Sequence, residues 1–232
     1  MKKRNPLIYL LLLVLGFSIL SCRSDDDNKL NPYDPNDASV PKISFVTDHP
    51  IDTFIDFYIV SKDDFEVDFG DGNKIKQTKS PTDNKVIIVS KLKGKEVKIY
   101  APKASSITKF SILGVKLKNI DVRNASELEE FEVIQNELSS LDISKNTKLS
   151  FLDFSENRFK QSTSNAILNA LPKRTNDKKG QVWIYYSSKY EQNEMASQQA
   201  IDVATAKLWQ VSYYSGKAGD VSNESKKSLN QQ

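Results

Sequence analysis

Hydrophobic positions in the middle of the chain recur every 21 residues. When the sequence is aligned with itself at this offset, eight positions match in residue class, among them Phe131 with Leu152 and Asn136 with Asn157. One 21-residue unit is too short to bury its own apolar stripe, so at least three units must stack. The pattern therefore predicts a region of stacked repeats over residues 97–160, with a cap at each end.

Each unit follows the pattern LxxLxLxxNxL. Its copies are Leu128, Phe131, Val133, Asn136, Leu138, then Leu149, Leu152, Phe154, Asn157, Phe159, and a weaker first copy, Ile107, Phe110, Ile112, Val115, Leu117. Apolar residues two apart on a short strand point to one side, which would be the interior of the stack. We expect the asparagine to satisfy backbone groups where the chain turns out of the strand.

This pattern resembles the leucine-rich repeat. The stretch LSSLDISKNTKLSFLDFSENRF closely resembles the 21-residue repeats of Bacteroidetes-type surface lipoproteins, in which the second side of each coil is also extended. The resemblance implies a strand-rich α/β fold: a short solenoid of about three coils with parallel strands on both sides. We expect it to lie between an N-terminal β cap over residues 42–96 and an α/β C-terminal cap over 161–214.

Short strands separated by turns are predicted for the N-terminal cap. They cover Lys42–Thr47, Ile51–Ser61, Phe65–Phe69 and Lys85–Leu92. The residues Gly70-Asp71-Gly72-Asn73 are typical of a hairpin turn. An ion site formed by Asp63, Asp64, Asp68 and Asp71 is the alternative interpretation, although the spacing of an EF-hand is absent.

The C-terminal cap is predicted to combine helices over Ser164–Leu171 and Gln198–Leu208 with strands over Gln181–Ser187 and Trp209–Tyr214. The stretches VWIYY and AIDVATAKLWQV resemble the closing unit of the same lipoproteins. Aromatic residues concentrate in this cap, where they either pack its core or form a platform that stacks on sugars. They are Trp183, Tyr185, Tyr186, Trp209, Tyr213 and Tyr214. The polar segment 215–232 is predicted to be a disordered tail.

The first residues have the pattern of a secretion signal. Lys2-Lys3-Arg4 precede an apolar run over 7–20, shorter than the ~20 residues that a membrane-spanning helix needs. Ile19-Leu20-Ser21-Cys22 resembles a bacterial lipobox, which implies a signal peptide over 1–21 and a lipid on Cys22 that attaches the protein to a membrane. The acidic run Asp25–Asp27 resembles a surface-export signal, or is simply part of a solvated tether. We expect residues 22–41 to form a flexible tether.

Charge and composition narrow the functional classes. The net charge of +3 comes from the leader, since without Lys2, Lys3 and Arg4 the chain has 30 basic and 30 acidic residues. This balance argues against nucleic-acid binding. One Cys and one His exclude metal sites built from several such residues, and the sequence contains no recognised catalytic or cofactor motif. We therefore expect a protein that is not an enzyme and that has no metal or cofactor. A hydrolase with a glycosidase-like pair of carboxylates is the remaining alternative.

Exposed positions between the inward residues of the strands are candidates for partner binding. At the 21-residue spacing they form three rows, of which the members proposed as binding residues are Lys109, Leu113, Glu130, Glu132, Ile134, Phe151, Asp153 and Ser155. Apolar side chains beside acidic ones are typical of a protein interface, although such residues also keep a solenoid soluble. The resemblance to surface lipoproteins implies an outer-membrane lipoprotein that faces the cell exterior and binds a protein. A glycan-binding accessory of a nutrient-uptake system is the alternative.

Overall fold

The computed structural model describes residues 36–214 and a short strand at 226–228. Within this part the chain is a strand-rich α/β structure with two β-sheets and two helices. The predicted signal peptide, Cys22 and the tether up to residue 35 lie outside the described residues, as do 215–225 and 229–232 of the predicted tail. Residues 226–228 form a strand, which differs from the disorder expected there.

The strands, in chain order, are β1 Ile43–Thr47, β2 Phe54–Ser61, β3 Phe65–Asp68, β4 Lys74–Gln77, β5 Lys85–Lys91, β6 Glu96–Tyr100, β7 Ile107–Ile112, β8 Leu117–Asp121, β9 Glu130–Glu132, β10 Phe151–Asp153, β11 Gly180–Tyr186, β12 Trp209–Tyr214 and β13 Lys226–Ser228. The helices are α1 Gln161–Ala170, between β10 and β11, and α2 Gln198–Ala206, between β11 and β12.

The first sheet is five-stranded and antiparallel, in the order β4-β3-β6-β1-β8. The predicted hairpin at residues 70–73 joins β3 to β4. There Asp68 Oδ1 accepts hydrogen bonds from the backbone N–H of Gly70 (2.8 Å) and Gly72 (3.0 Å). A side chain at Gly70 would lie 2.5 Å from the Cα of Gly94, so two backbones cross here at a distance that only glycine allows.

The second sheet has eight strands in the order β13-β12-β11-β10-β9-β7-β2-β5. Its strands β7, β9, β10, β11 and β12 are parallel, whereas β2 pairs antiparallel with both β5 and β7. The two sheets share one hydrophobic core, in which the ring of Phe45 on β1 meets Phe57 on β2 edge-on at 5.6 Å and Phe110 on β7 at 6.2 Å. The strand β7 is therefore the junction between the antiparallel and parallel parts.

The predicted asparagines satisfy the backbone where the chain leaves the parallel strands. Asn136 Oδ1 accepts hydrogen bonds from the N–H of Val115 and Leu117, both at 3.1 Å. Asn157 donates to three carbonyl groups, that of Val133 at 2.7 Å among them. Asn193, which the repeat pattern did not identify, plays the same part in the next layer, accepting from the N–H of Phe159 at 3.0 Å.

The residue before each of these turns has a left-handed backbone. It is Gly114 in the first copy (φ 66°), Gln135 in the second (φ 56°) and Glu156 in the third (φ 57°). These positions are 21 residues apart, so the backbone repeats together with the hydrophobic pattern.

Two features differ from the sequence predictions. Residues 97–100, expected in the first coil, belong to β6 of the antiparallel sheet. Parallel strands were expected on both sides of the repeats, but on the second side only β8 is a strand within the described residues, and it pairs antiparallel with β1. The N-terminal region thus extends further into the repeats than predicted.

The predicted helices are both present. The helix α1 begins three residues before the predicted start, because the Glu194 carboxylate accepts the N–H of Gln161 at 3.0 Å and pairs with Lys160 at 2.8 Å. The N-cap of α2 is Ser197, whose hydroxyl accepts the N–H of Ala200. No helix among the described residues is both long and apolar enough to span a membrane.

Candidate interaction surface

The eight-stranded sheet turns one face to the core and leaves the other partly exposed. We call the second face the open face. The strand pairing places Lys109, Glu130 and Phe151 side by side, as the 21-residue offset predicts. A neighbouring row contains Ser111, Glu132 and Asp153 and continues across seven strands. In order across the sheet its members are Ile87, Tyr58, Ser111, Glu132, Asp153, Trp183 and Ser212.

An ion-pair cluster lies at the centre of the open face. Lys109 Nζ is 2.5 Å from a carboxylate oxygen of Glu130 and 2.9 Å from one of Glu132. Glu132 also accepts a hydrogen bond from Ser111 Oγ at 2.9 Å and lies 3.4 Å from the Tyr58 hydroxyl. Burial alone would lower the pKa of Lys109, but its hydrogen bonds to Glu130, Tyr58 and Glu132 outweigh burial and raise it. Lys109 therefore stays charged and holds the two acids in place.

Asp153 lies next to this cluster on β10. Its carboxylate accepts hydrogen bonds from the N–H (3.0 Å) and hydroxyl (2.6 Å) of Ser155. Burial raises the pKa of Asp153 to about 6, and the nearby charges of Glu132 and Glu156 act in the same direction, although the Ser155 hydrogen bonds oppose the rise. The open face thus carries one carboxyl group that changes protonation at mildly acidic pH.

A second network supports the turn after β10. The carboxylate of Glu191 accepts three backbone hydrogen bonds, from Glu156 (2.9 Å), Tyr186 (2.7 Å) and Asn193 (2.8 Å). Burial raises the pKa of Glu191 although these hydrogen bonds lower it. The Glu156 side chain, itself buried, accepts a hydrogen bond from Ser188. Glu156 and Glu191 therefore fix the loop after β11 against the end of β10.

Most of the predicted partner-binding residues are on or next to the open face, but they differ in exposure. Leu113, just after β7, is 57% exposed, while Glu130, Glu132, Ile134, Phe151 and Asp153 are partly exposed. Ser155 was expected at the surface and is instead 3% exposed. This expectation is wrong because the Ser155 hydroxyl turns back to Asp153, so Ser155 orients that carboxylate rather than offering itself to a partner.

The aromatic residues of the predicted sugar-binding platform differ in exposure. Trp209 is 1% exposed, and its Nε1 donates to the carbonyl oxygen of Pro172 at 2.6 Å. Trp209 therefore belongs to the core of the cap and is not part of a sugar-binding surface. Trp183 and Tyr185 are partly exposed, and Trp183 is the direct neighbour of Asp153 across the sheet. The Tyr214 side chain lies outside the described residues.

Sequence reasoning missed the antiparallel side of the open face. Tyr58 on β2 and Ile87 on β5 continue the row of Ser111, and Val89 lies beside Ile87 on the same face of β5. Ile87 is 67% and Val89 64% exposed. The sequence of β2, FIDFYIVS, does not alternate between apolar and polar residues, so it did not show which side chains face outward. Nothing in the sequence told which strand β2 would pair with. The open face is therefore larger than the three predicted coils.

The described residues contain no group of three or more His, Cys, Asp or Glu side chains arranged to hold a metal ion. The four aspartates considered for an ion site have separate roles. Asp63 accepts from the Ser106 hydroxyl at 2.8 Å, Asp64 pairs with Lys76 at 3.0 Å, and Asp68 forms the hairpin turn. The side chain of Asp71 accepts the N–H of Asn73. These contacts account for the aspartates as turn-forming and ion-pairing residues.

Comparison with known proteins identifies no relative. No family model matches the chain, and neither the curated proteins nor the solved structures contain a match.

Proposed function

We propose that this chain is a non-catalytic, lipid-anchored cell-surface protein that binds another protein through the open face. Under this proposal the parallel strands and their asparagine turns are the coils of a short leucine-rich-repeat solenoid. The observation that carries the proposal is the continuous row from Ile87 to Trp183, which combines apolar, aromatic and charged side chains on one face of the sheet. Such a mixture is what the centre and rim of a protein interface combine.

The position of the charged cluster supports this assignment. Lys109 is held by two carboxylates, while the side chain of Glu130 remains 46% exposed. A pre-arranged cluster loses little side-chain entropy when a partner docks, so it favours specific over nonspecific contact. The exposed Leu113 and the partly exposed Ile134 and Phe151 supply the apolar contact area beside it.

Photo-crosslinking in intact cells tests the protein-binding proposal. A photoreactive amino acid replaces Phe151 on the open face, and in a matched control it replaces Val203, which is 37% exposed on α2. We expect a discrete crosslinked band from position 151 that is absent from position 203 and that is lost when Glu130→Lys and Glu132→Lys are added. Equal crosslinking at both positions, or none at 151, contradicts the assignment of the open face.

Attachment to the membrane is tested separately. The proposal places a lipid on Cys22, so Cys22→Ala should move the protein from the membrane fraction to the soluble fraction, while Ser21→Ala should not. Protease treatment of whole cells should degrade the wild-type protein if it faces the exterior. Retention of the Cys22→Ala variant in membranes would contradict lipid anchoring.

Glycan binding is the second candidate function, favoured by Trp183 lying beside Asp153. An indole ring can stack on a sugar ring while a carboxylate accepts hydrogen bonds from the hydroxyl groups of the sugar. Since Trp209 is buried, only Trp183 should respond to an oligosaccharide by fluorescence quenching. Quenching that persists in Trp209→Phe and disappears in Trp183→Phe would favour glycan binding over protein binding.

A further inference from the structure

The strand β5 ends the eight-stranded sheet. It is seven residues long and pairs with β2 on one side, without a register shift, and no described strand pairs with its other side. The other terminal strands of the two sheets are shorter: β4 has four residues, β8 five and β13 three. An uncovered edge strand presents unpaired N–H and C=O groups to other chains.

The hydrogen bonds at the two ends of β5 show which of its backbone N–H and C=O groups face away from β2. The Ser61 N–H donates to Asn84 O and the Leu92 N–H donates to Thr53 O, both at 3.0 Å. In an antiparallel ladder these bonds recur at every second residue, so Val86, Ile88 and Ser90 bond to β2. The backbone N–H and C=O groups of Ile87, Val89 and Lys91 consequently point away from β2.

The turn before β5 covers the outer side of its first residue only. Lys85 donates its N–H to Asp83 Oδ1 at 3.1 Å, and its carbonyl oxygen accepts the N–H of Ser80 at 3.3 Å. The structure shows no such covering bond for the outward groups of Ile87 and Val89 within the described part of the chain. An open segment thus begins at Ile87.

On the open face, β5 presents two apolar side chains between two lysines, a pattern that a partner strand can complement. Ile87 and Val89 are both more than 60% exposed, and Lys85 and Lys91 flank them on the same face. The two ammonium groups lean over aromatic rings of β2, Lys85 at 4.3 Å from the Tyr58 ring centre and Lys91 at 5.3 Å from that of Phe54. The lysines therefore do not block the edge, although lysine often protects edge strands.

We propose that β5 is a docking edge for an extended segment of a partner protein, which adds a ninth strand to the sheet. The segment would place apolar residues beside Ile87 and Val89 and acidic residues beside Lys85 and Lys91. Backbone hydrogen bonds give affinity in such strand addition, and the alternate side chains give specificity. The inference goes beyond the proposed function, because it uses the outward backbone groups at the edge of the sheet rather than the side chains of the open face.

The charges favour a different protein over a second copy of this chain. Antiparallel pairing of two aligned β5 strands, with Ile87 opposite Val89, would set Lys85 opposite Lys91 of the second copy. Like charges directly opposite each other destabilise a strand pair. An acidic segment meets the same two lysines with the opposite sign.

A designed peptide tests the proposal with the full chain in detergent micelles. The probe is the capped heptapeptide Glu-Thr-Val-Thr-Val-Thr-Glu, which in antiparallel pairing places its valines opposite Val89 and Ile87 and its glutamates opposite Lys91 and Lys85. One control peptide has both valine nitrogens methylated, which removes the donors that face β5, and a second has Lys in place of both Glu residues. We expect both controls to bind at least about tenfold more weakly than the probe.

Variants of the protein assign the binding to β5. Val89→Pro removes an outward N–H without removing a bond to β2, whereas Val89→Thr keeps that N–H and the branched side chain. We expect Val89→Pro to abolish peptide binding and Val89→Thr to weaken it only a few-fold, with unchanged circular dichroism in both. The double variant Lys85→Glu, Lys91→Glu should reverse the preference and bind the Lys-flanked peptide better.

Three results would overturn the proposal. The first is no binding of the probe at millimolar concentration, and the second is equal binding of the probe and the methylated peptide. The third is a dimer of the wild-type protein that Val89→Pro dissociates, because it would assign the edge to a second copy. Crosslinking from position 151 is unaffected by any of these outcomes, so failure here is distinguishable from failure of the proposed function.

Discussion

The eight-stranded sheet joins two regions that are stabilised differently. On one side of β7 the strands β2 and β5 have eight and seven residues and are joined by an antiparallel ladder without a register shift. On the other side β9 and β10 have three residues each, and buried asparagine side chains take over where these ladders end. The comparison shows that short parallel strands can form one continuous sheet with long ones when side chains complete their hydrogen bonds.

The largest expected effect tests whether the two regions unfold together. Phe131 on β9 and Phe57 on β2 are both buried, and each contacts the ring of Phe110, at 6.2 Å and 5.7 Å. Truncation of either residue to alanine should cost about 3–5 kcal/mol of the free energy of unfolding. The fluorescence of Trp183 and Trp209 reports on the parallel region, while circular dichroism reports on the whole chain.

If the shared core makes unfolding cooperative, Phe57→Ala should shift the tryptophan transition as much as Phe131→Ala does. A tryptophan transition that moves only with Phe131→Ala would show that the parallel region unfolds independently, contrary to one common core.

The next effect concerns the asparagine turns of the parallel region. Asn157 is fully buried and hydrogen-bonded to Leu138 N–H and to the carbonyl groups of Val133, Phe154 and Ser155. Asn157→Ala leaves these backbone groups without their partner, so we expect a loss of about 2–3 kcal/mol in chemical denaturation. The exposed Asn119→Ala serves as control and should change stability by less than about 0.5 kcal/mol. Similar losses in both variants would argue against a structural role of the turns.

A third prediction concerns pH and the raised pKa of Asp153, about 6 in the folded protein. The unfolded chain takes up this proton near pH 4, so the folded protein binds it more strongly between pH 6 and 4. Stability should therefore fall as pH rises through this window, and charged Asp153 should be destabilising above it. Asp153→Asn should be more stable than wild type by about 1 kcal/mol at pH 7.5, with little of this advantage left at pH 4.

Asp142 is the control for that experiment, because its pKa is shifted in the opposite direction to that of Asp153. Hydrogen bonds from Ser144 lower the pKa of Asp142, so charged Asp142 stabilises the fold, an effect that is lost as pH falls through the lowered pKa. Asp142→Asn should thus be slightly less stable than wild type at pH 7.5, as measured by thermal unfolding. An advantage of Asp153→Asn that does not change between pH 7.5 and 4 would contradict the raised pKa of Asp153.

The smallest effect tests the left-handed position of the repeats. Gln135 has the same backbone conformation as Gly114, 21 residues earlier, and glycine adopts it without steric cost. Gln135→Gly should stabilise the protein by roughly 0.5 kcal/mol, whereas the exposed Ser139→Gly should destabilise it slightly. A thermal melt that shifts downward in both variants would show that the side chain of Gln135 matters more than its backbone.

The sequence predicts the parallel region better than the antiparallel one, and the reason is physical. In the parallel region neighbouring strands are one repeat apart, so the spacing along the chain also fixes which residues pair, as for Lys109, Glu130 and Phe151. The strand β1 instead lies between β6 and β8, whose positions no local pattern encodes. The strands β4 and β6 were also not predicted, although the sequence EVKIY of β6 alternates between polar and apolar residues.

The open face, too, was predicted better in its parallel part than in its antiparallel part. The register identified Glu130, Glu132 and Asp153 as neighbours, but the exposure of a short side chain depends on its rotamer, and so the burial of Ser155 was not predicted. Tyr58, which contacts Glu132 and stands beside Lys109, reaches the cluster from a strand about fifty residues earlier. Asn193 was missed because α1 and β11 interrupt the 21-residue spacing after Asn157.

The central place of β1 in its sheet has a consequence for biosynthesis. The ribosome releases β1 early, yet its partners end at Tyr100 and Asp121, so a nascent chain cut short before Asp121 exposes a hydrophobic strand with an open side. After that point each new parallel strand adds to an edge that already exists, β9 to β7 and β10 to β9. The first half of the chain thus leaves β1 open on one side until Asp121 is present, and the second half adds strands to an edge that is already formed.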